Sequence, residues 1–193
     1  MRKHLKNLLI TLTIFLFILL LDQITKYLTQ IYIPYEGTSV KPAFEISGFI
    51  SLYKTYNTGM GWSLLNDEKG HIILLCISFV ASIVLAIFCD HNDWQRAKTL
   101  SLGKTLVLAG CVGNLYDRFI CILPSCKGDN GRPGVVDMVS WKWFDSLTGL
   151  FGLGNTVFNV ADMALTTGLV LIIFDLIFFY SRREKKYGKK ANA

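Results

Sequence analysis

Three clusters in the sequence set a carboxylate beside a cation or an amide at helical spacing: Asp22 with Lys26, Asn114 with Asp117 and Arg118, and Asn159 with Asp162. Residues three or four apart share one face of a helix, so each cluster would point its polar groups in one direction. Other chemistries fall away by elimination. The three histidines, His4, His71 and His91, are scattered, and neither a His-Glu-x-x-His motif nor a paired Cys-x-x-Cys is present. No metal site and no cofactor are expected. Without a placed histidine, a Ser-His or Cys-His nucleophile lacks its base. A Ser-Lys pair stays open on spacing alone, although Lys26 already has Asp22 as a neighbour. Carboxylates remain. Two aspartates sharing a site split their pKa values, so one ionises and activates water while the other keeps its proton and polarises a carbonyl. That chemistry hydrolyses a peptide bond with neither a metal nor a covalent intermediate.

The surrounding chain is strongly apolar. Of 193 residues, 52% are hydrophobic and 18% charged, where a soluble domain carries about 25% charge. Mean hydropathy is +0.41, and the apolar residues are bunched into blocks. A disordered chain, a coiled coil, a collagen-like fibre and a disulfide framework are all excluded. A spanning helix needs about 20 mostly apolar residues. Four segments qualify: Asn7 to Tyr27, His71 to Cys89, Thr99 to Cys121 and Phe158 to Tyr180. The first follows Arg2, Lys3 and Lys6 as a signal peptide would, but it runs into Asp22-Gln23-Ile24-Thr25-Lys26 and not into a small-residue cleavage site. It reads as a retained helix.

Lys and Arg set the orientation. The N-terminal tail, the connection bearing Arg96, Lys98 and Lys104, and the tail after Tyr180 hold twelve of the twenty. Both termini are therefore expected in the cytoplasm, with the two long connections, 28–70 and 122–157, facing outward. The +6 net charge then resides in the cytoplasmic flanks, and no nucleic-acid partner is needed to explain it. The expected architecture is an all-α membrane protein with a small β element: four transmembrane helices in one domain over 1–180, and a basic cytoplasmic tail over 181–193 that is disordered beyond its first residues. The β element falls on Phe49 to Tyr56, rich in β-branched and aromatic residues and ending at Asn57-Thr58-Gly59.

In that arrangement Asp22, Lys26, Asp117, Arg118 and Asp162 all lie towards the outward ends of their helices. A charge inside a span costs roughly 2.5–3.5 kcal/mol at the centre on insertion scales. Single interfacial residues can snorkel to water, but three helices bringing polar groups to one depth describe a site. Cys76, Cys89 and Cys111 read as packing or lipid-facing residues, whereas Cys121 and Cys126, in the outward connection, are placed where a local disulfide can form.

Five blocks, in order across nearly the whole chain, resemble the lipoprotein signal peptidases (signal peptidase II). They are Asp22-Gln23-Ile24-Thr25-Lys26, Asn57-Thr58-Gly59-Met60-Gly61-Trp62-Ser63, Gly113-Asn114-Leu115-Tyr116-Asp117-Arg118, Val135-Val136-Asp137-Met138 and Phe158-Asn159-Val160-Ala161-Asp162. The resemblance implies an aspartyl endopeptidase of the bacterial cytoplasmic (inner) membrane, multi-pass, with its active site at the outer face. It implies that Asp137 and Asp162 are the catalytic pair and that Asn57, Asn114, Arg118 and Asn159 bind the substrate backbone. Asp22, Lys26 and Asp117 would support the site. The implied partners are diacylglyceryl-prolipoprotein substrates, membrane lipid and globomycin-type inhibitors. Spacing alone equally allows Asp117 as a catalytic group, although its neighbour Arg118 points to a permanently ionised support residue.

The chain departs from the family pattern between Phe119 and Gly134, and again between Met138 and Phe158, where Trp141, Trp143 and Phe144 suggest an interfacial belt or a lid. A transporter subunit or assembly factor is the main alternative. Transporters place ionisable groups near the midplane and often carry repeats, and neither is seen. An intramembrane protease of the presenilin type would need a Gly-x-Gly-Asp block, which is absent.

Overall fold

The structure, a computed structural model, describes residues 2–34, 42–46, 49–57, 68–123, 134–150 and 156–187. In chain order these form α1 (Arg2–Tyr32), β1 (Phe44–Ile46), β2 (Ile50–Asn57), α2 (Glu68–Asp90), α3 (Lys98–Ile122), β3 (Val135–Trp141), α4 (Lys142–Gly149), α5 (Val160–Phe178) and α6 (Tyr180–Tyr187). The helices α1, α2, α3 and α5 are long and apolar enough to cross a membrane and coincide with the four expected spans. Helix α1 runs five residues further than expected at each end. Helix α5 starts at Val160 because Asn159 is its N-cap.

Helix α3 is the least hydropathic span and the most buried: 44% of its most apolar window is inside the protein, against 22% or less for the others. Lipid solvates an apolar side chain as well as protein does, so the central helix is the one that can carry small and polar residues. Its glycines set the packing distance to α5. A Cβ on Gly110 would lie 2.4 Å from the Ala161 carbonyl oxygen, and one on Gly103 would lie 2.8 Å from that of Gly168. The facing side of α5 is built from Ala161, Ala164 and Gly168.

Helix α1 inverts the pattern of a water-soluble helix. Its buried residues are Asn7, Thr11, Asp22, Lys26 and Thr29, while Leu9, Leu16, Phe17 and Leu20 are half or more exposed, as lipid contact requires. The two halves of this polar stripe serve different clusters. Near its N-terminus, Asn7 donates to the Asn92 carbonyl (2.9 Å), and the Asn92 amide donates to Thr11 (3.1 Å) and Thr105 (3.2 Å). The Trp94 indole N–H also donates to Thr11 (2.9 Å), so the α2–α3 connection is fastened to α1. Near its C-terminus lie Asp22 and Lys26.

The sheet has order β1-β2-β3, all antiparallel, with Thr55 opposite Asp137 and Asn57 opposite Val135. Strand β2 matches the expected element. The Val135–Met138 block, read from sequence as part of a loop, belongs to β3. Its first four residues are all buried, so it lacks the in–out alternation that betrays a strand. A bridge then joins β3 to the start of α5: the Met138 and Val139 amides both donate to the Phe158 carbonyl (3.0 and 2.9 Å), and the Phe158 amide donates to Val139 (2.8 Å).

A further finding and a further correction fall on the segments after β3 and α5. Trp141 ends β3 and stacks on Trp143 of α4, ring centroids 6.0 Å apart, so part of the aromatic stretch is a helix. The tail, expected to be disordered after a few residues, is helical to Tyr187, because Arg183 returns to form a bidentate pair with the buried Asp175. The Phe144 side chain, Cys126, 124–133 and 188–193 lie outside the described residues; Cys121 is buried at the end of α3.

Candidate active site

The β3–Phe158 bridge brings Asp137 and Asp162 into one hydrogen-bonded cluster. Asn159, one residue beyond the bridge, is fully buried and reaches both. Its amide nitrogen donates to Asp137 Oδ1 at 2.7 Å, and its amide oxygen accepts the Asp162 backbone N–H at 2.8 Å. Asp162 answers by accepting the Asn159 backbone N–H at 3.2 Å, which completes a reciprocal cap at the start of α5. Asn114 on α3 donates to the other Asp162 oxygen at 2.8 Å and accepts from Asn159 at 3.1 Å. The Asn57 side chain, at the end of β2, also hydrogen-bonds Asp137.

The two carboxyls are not equivalent. Asp137 is 3% exposed, while Asp162 is only partly covered. Burial first, and then the Asp162 charge, push the Asp137 carboxyl from an ordinary 3.8 up to about 8, against the pull of the Asn159 and Asn57 amides. Asp137 therefore keeps its proton to higher pH than a free carboxyl does, and two carboxyls so close can share one proton, as acid–base work by a carboxyl pair needs.

Behind the cluster sits a buried ion triad. Lys26 Nζ lies 2.8 Å from Asp22 Oδ2 and 2.7 Å from Asp117 Oδ2, with all three side chains at most 1% exposed. It also donates to Asn114 Oδ1 at 3.2 Å, so the triad touches the aspartate cluster through one amide. Adjacency in sequence predicts Arg118 as the partner of Asp117; the cation within 2.7 Å is Lys26, from a different helix. Arg118 lies in the field of Asp162 and Asp137. Asp22 uses its second oxygen to accept the Ala161 backbone N–H at 2.8 Å, tying α1 to the first turn of α5.

All nine expected site residues thus belong to one end of the bundle. Two contributors escape a sequence reading. Gln23 donates to Asp22 at 2.9 Å and to the Gly113 carbonyl at 3.4 Å, and no spacing singles it out. The cap formed by Asn159 and Asp162 could have been found, because Asn followed three residues later by a carboxylate before an apolar run is a helix-start signal.

The sequence profile of the family described as signal peptidase (SPase) II matches residues 14–178. The chain belongs to the signal peptidase II family. A lipoprotein signal peptidase of Staphylococcus aureus (strain bovine RF122 / ET3-1) is 27% identical over 180 residues, 93% of this chain and 94% of the other. That of strain Newman is 26% identical over the same shares. A bacterial membrane enzyme solved in meso at 2.3 Å resolution superposes with TM-score 0.66 at 25% identity, covering 86% of this chain and 87% of the other. A second, solved at 1.9 Å, gives TM-score 0.63 at 25% identity over 88% and 93%. Membership of the signal peptidase II family makes this chain a membrane peptidase, and its four apolar helices agree.

Proposed function

We propose that the protein removes the signal peptide from diacylglyceryl-modified prolipoproteins, cutting N-terminal to the lipidated cysteine with water activated by Asp137 and Asp162. The observation that carries this reading is that both carboxyls accept from one buried residue, Asn159: Asp137 from its side-chain amide and Asp162 from its backbone N–H. A water held between them loses a proton to the ionised carboxylate as it attacks the scissile carbonyl. The protonated carboxyl hydrogen-bonds the carbonyl oxygen and gives up its proton, and the departing amine is protonated in turn. Asn57, Asn114 and Asn159, all engaged with the aspartates, orient them, and with Arg118 they line the place where the substrate backbone is bound. Asp22, Lys26 and Asp117 hold α1, α3 and α5 in register.

The relatives named lipoprotein signal peptidase support the substrate class. The positive flanks favour both termini in the cytoplasm and the aspartates at the outer face of the bacterial inner membrane, with residues 1–180 as the catalytic domain. Two acyl chains on the substrate, each contributing roughly 0.8 kcal/mol per buried CH₂, would fix the scissile bond at that depth. The test is cleavage of one prolipoprotein, lipidated and unlipidated, by the purified protein and its Asp162→Asn variant. Cleavage is expected only of the lipidated form by the wild-type protein, blocked by globomycin and indifferent to EDTA. Equal cleavage of both forms would make this a general membrane protease.

A further inference from the structure

At the end of the bundle opposite the aspartates there is a cavity of about 310 Å³ between the α2–α3 connection and α6. Asp162 and Asp175 stand thirteen residues apart on α5, about 20 Å along a helix, so this cavity is separate from the site above. Its lining carries five cationic side chains, Arg96, Lys98, Arg182, Arg183 and Lys186, and a single carboxylate, Asp175. Asp175 is neutralised by its bidentate pair with Arg183. Asp93, the nearest acid in the connection, is engaged by Lys3 at 2.9 Å and lies 3.9 Å from Arg96 Nε. Arg96 lies over the Tyr187 ring at 4.8 Å, and Lys98 and Arg182 enter no ion pair among the described residues. Glu184 is two positions from both Arg182 and Lys186, so it does not share their face. The lining also includes Ala97, Lys98 and Thr99, where α3 begins with neither a side-chain cap nor an acid in its first turn, which adds further positive potential.

We propose that this cavity binds the phosphodiester headgroup of an anionic membrane phospholipid. Like charges gathered around one cavity are stabilised by an anion that faces them all. The neighbouring surface selects a lipid over a free anion. Phe179 lines the cavity, and the adjoining turns of α5 present Phe174, Ile177 and Phe178 outward, 44%, 67% and 54% exposed. A headgroup in the cavity lets its acyl chains lie along that apolar surface, at the depth where basic side chains between helices meet headgroups. Bound there, the lipid bridges α6 to the start of α3.

The experiment compares lipid retention by the full-length protein in native mass spectrometry, released from detergent containing phosphatidylglycerol or phosphatidylcholine, with inorganic phosphate as a third arm in thermal unfolding. The wild-type protein should retain phosphatidylglycerol in preference to phosphatidylcholine, and unfold at higher temperature with phosphatidylglycerol but not with phosphate. The variant Lys98→Gln/Arg182→Gln/Lys186→Gln should weaken phosphatidylglycerol binding by about fivefold per cation removed, roughly a hundredfold in all. Arg182→Gln alone, at an exposed position, should cost about fivefold and keeps the test open if the triple variant does not fold. A charge-matched control, Arg2→Gln/Lys6→Gln/Lys185→Gln, lies at the same end outside the cavity and should bind as wild type. Equal retention of both lipids, an equal loss in the control, or equal stabilisation by inorganic phosphate would each overturn the proposal.

Discussion

The protein buries polar groups at both ends of α1, and the two clusters solve the same problem differently. The one around Asn7, Thr11, Asn92 and Thr105 is neutral, and the Asn7, Asn92 and Trp94 N–H groups in it each reach an oxygen acceptor. Such a network stabilises by giving buried donors the acceptors that lipid cannot supply. The other places two carboxyls in one cluster and keeps a three-charge pairing behind them. Burying two ionisable carboxyls together opposes folding, so that end carries a cost that the neutral end does not. The neutral cluster is a fastening, and the charged one a fastening built around two carboxyls.

Substitution should separate the two, and the largest effect is expected at the aspartates. Asp137→Asn or Asp162→Asn should lower cleavage by about 10³-fold or more, because each removes a group that must move a proton. Their melting temperatures should equal or exceed that of the wild type, since a neutral amide has no charge to desolvate. Wild-type turnover in either variant would remove that residue from the pair. Next in size is Lys26→Met, which leaves Asp22 and Asp117 facing each other. It should destabilise by roughly 3–5 kcal/mol, read by thermal unfolding, and lose activity with it.

Asn92→Ala should cost less, about 1–3 kcal/mol for the acceptors left unsatisfied, and should leave kcat unchanged in the protein that remains folded. A loss of kcat there without a loss of stability would mean that the two ends are coupled. The finest distinction is in pH. Asp137 binds its proton more tightly folded, near 8, than unfolded, near 3.8. Its contribution to stability is therefore complete below about pH 4 and declines as pH rises towards 8, then levels off. Asp137→Asn should abolish that decline, along with an infrared carboxyl band that titrates near pH 8. The neutral cluster adds no slope of its own.

The sequence foreshadowed these two ends unequally. The charged end was legible because ionisable residues in apolar spans are rare, and the i, i+4 spacing of Asp22 and Lys26 predicts the pair that forms at 2.8 Å. The link from Lys26 to Asp117 was not, since contact between helices depends on packing that a linear pattern does not encode. Asn7, Thr11 and Asn92 gave no signal, because uncharged polar residues near span ends are common and cheap. Strand β3 escaped notice because burial on both sides erased its period of two. Helix α6 escaped because a run of basic residues reads as solvated until Asp175 is seen to hold Arg183.

The placement of Asp22 and Lys26 on one helix also bears on how the protein is assembled. Synthesis delivers α1 to the bilayer before α3 and α5 exist, when Asp117, Asn114 and the Ala161 amide are still to come. A lone carboxylate or ammonium in a lipid-exposed helix would disfavour that intermediate. With both on the same face, four residues apart, the newborn helix carries its own counter-ion and enters as an electrically neutral segment. Later helices then extend the pairing without having to create it. The order of insertion and the architecture of the finished site are thus served by the same two residues.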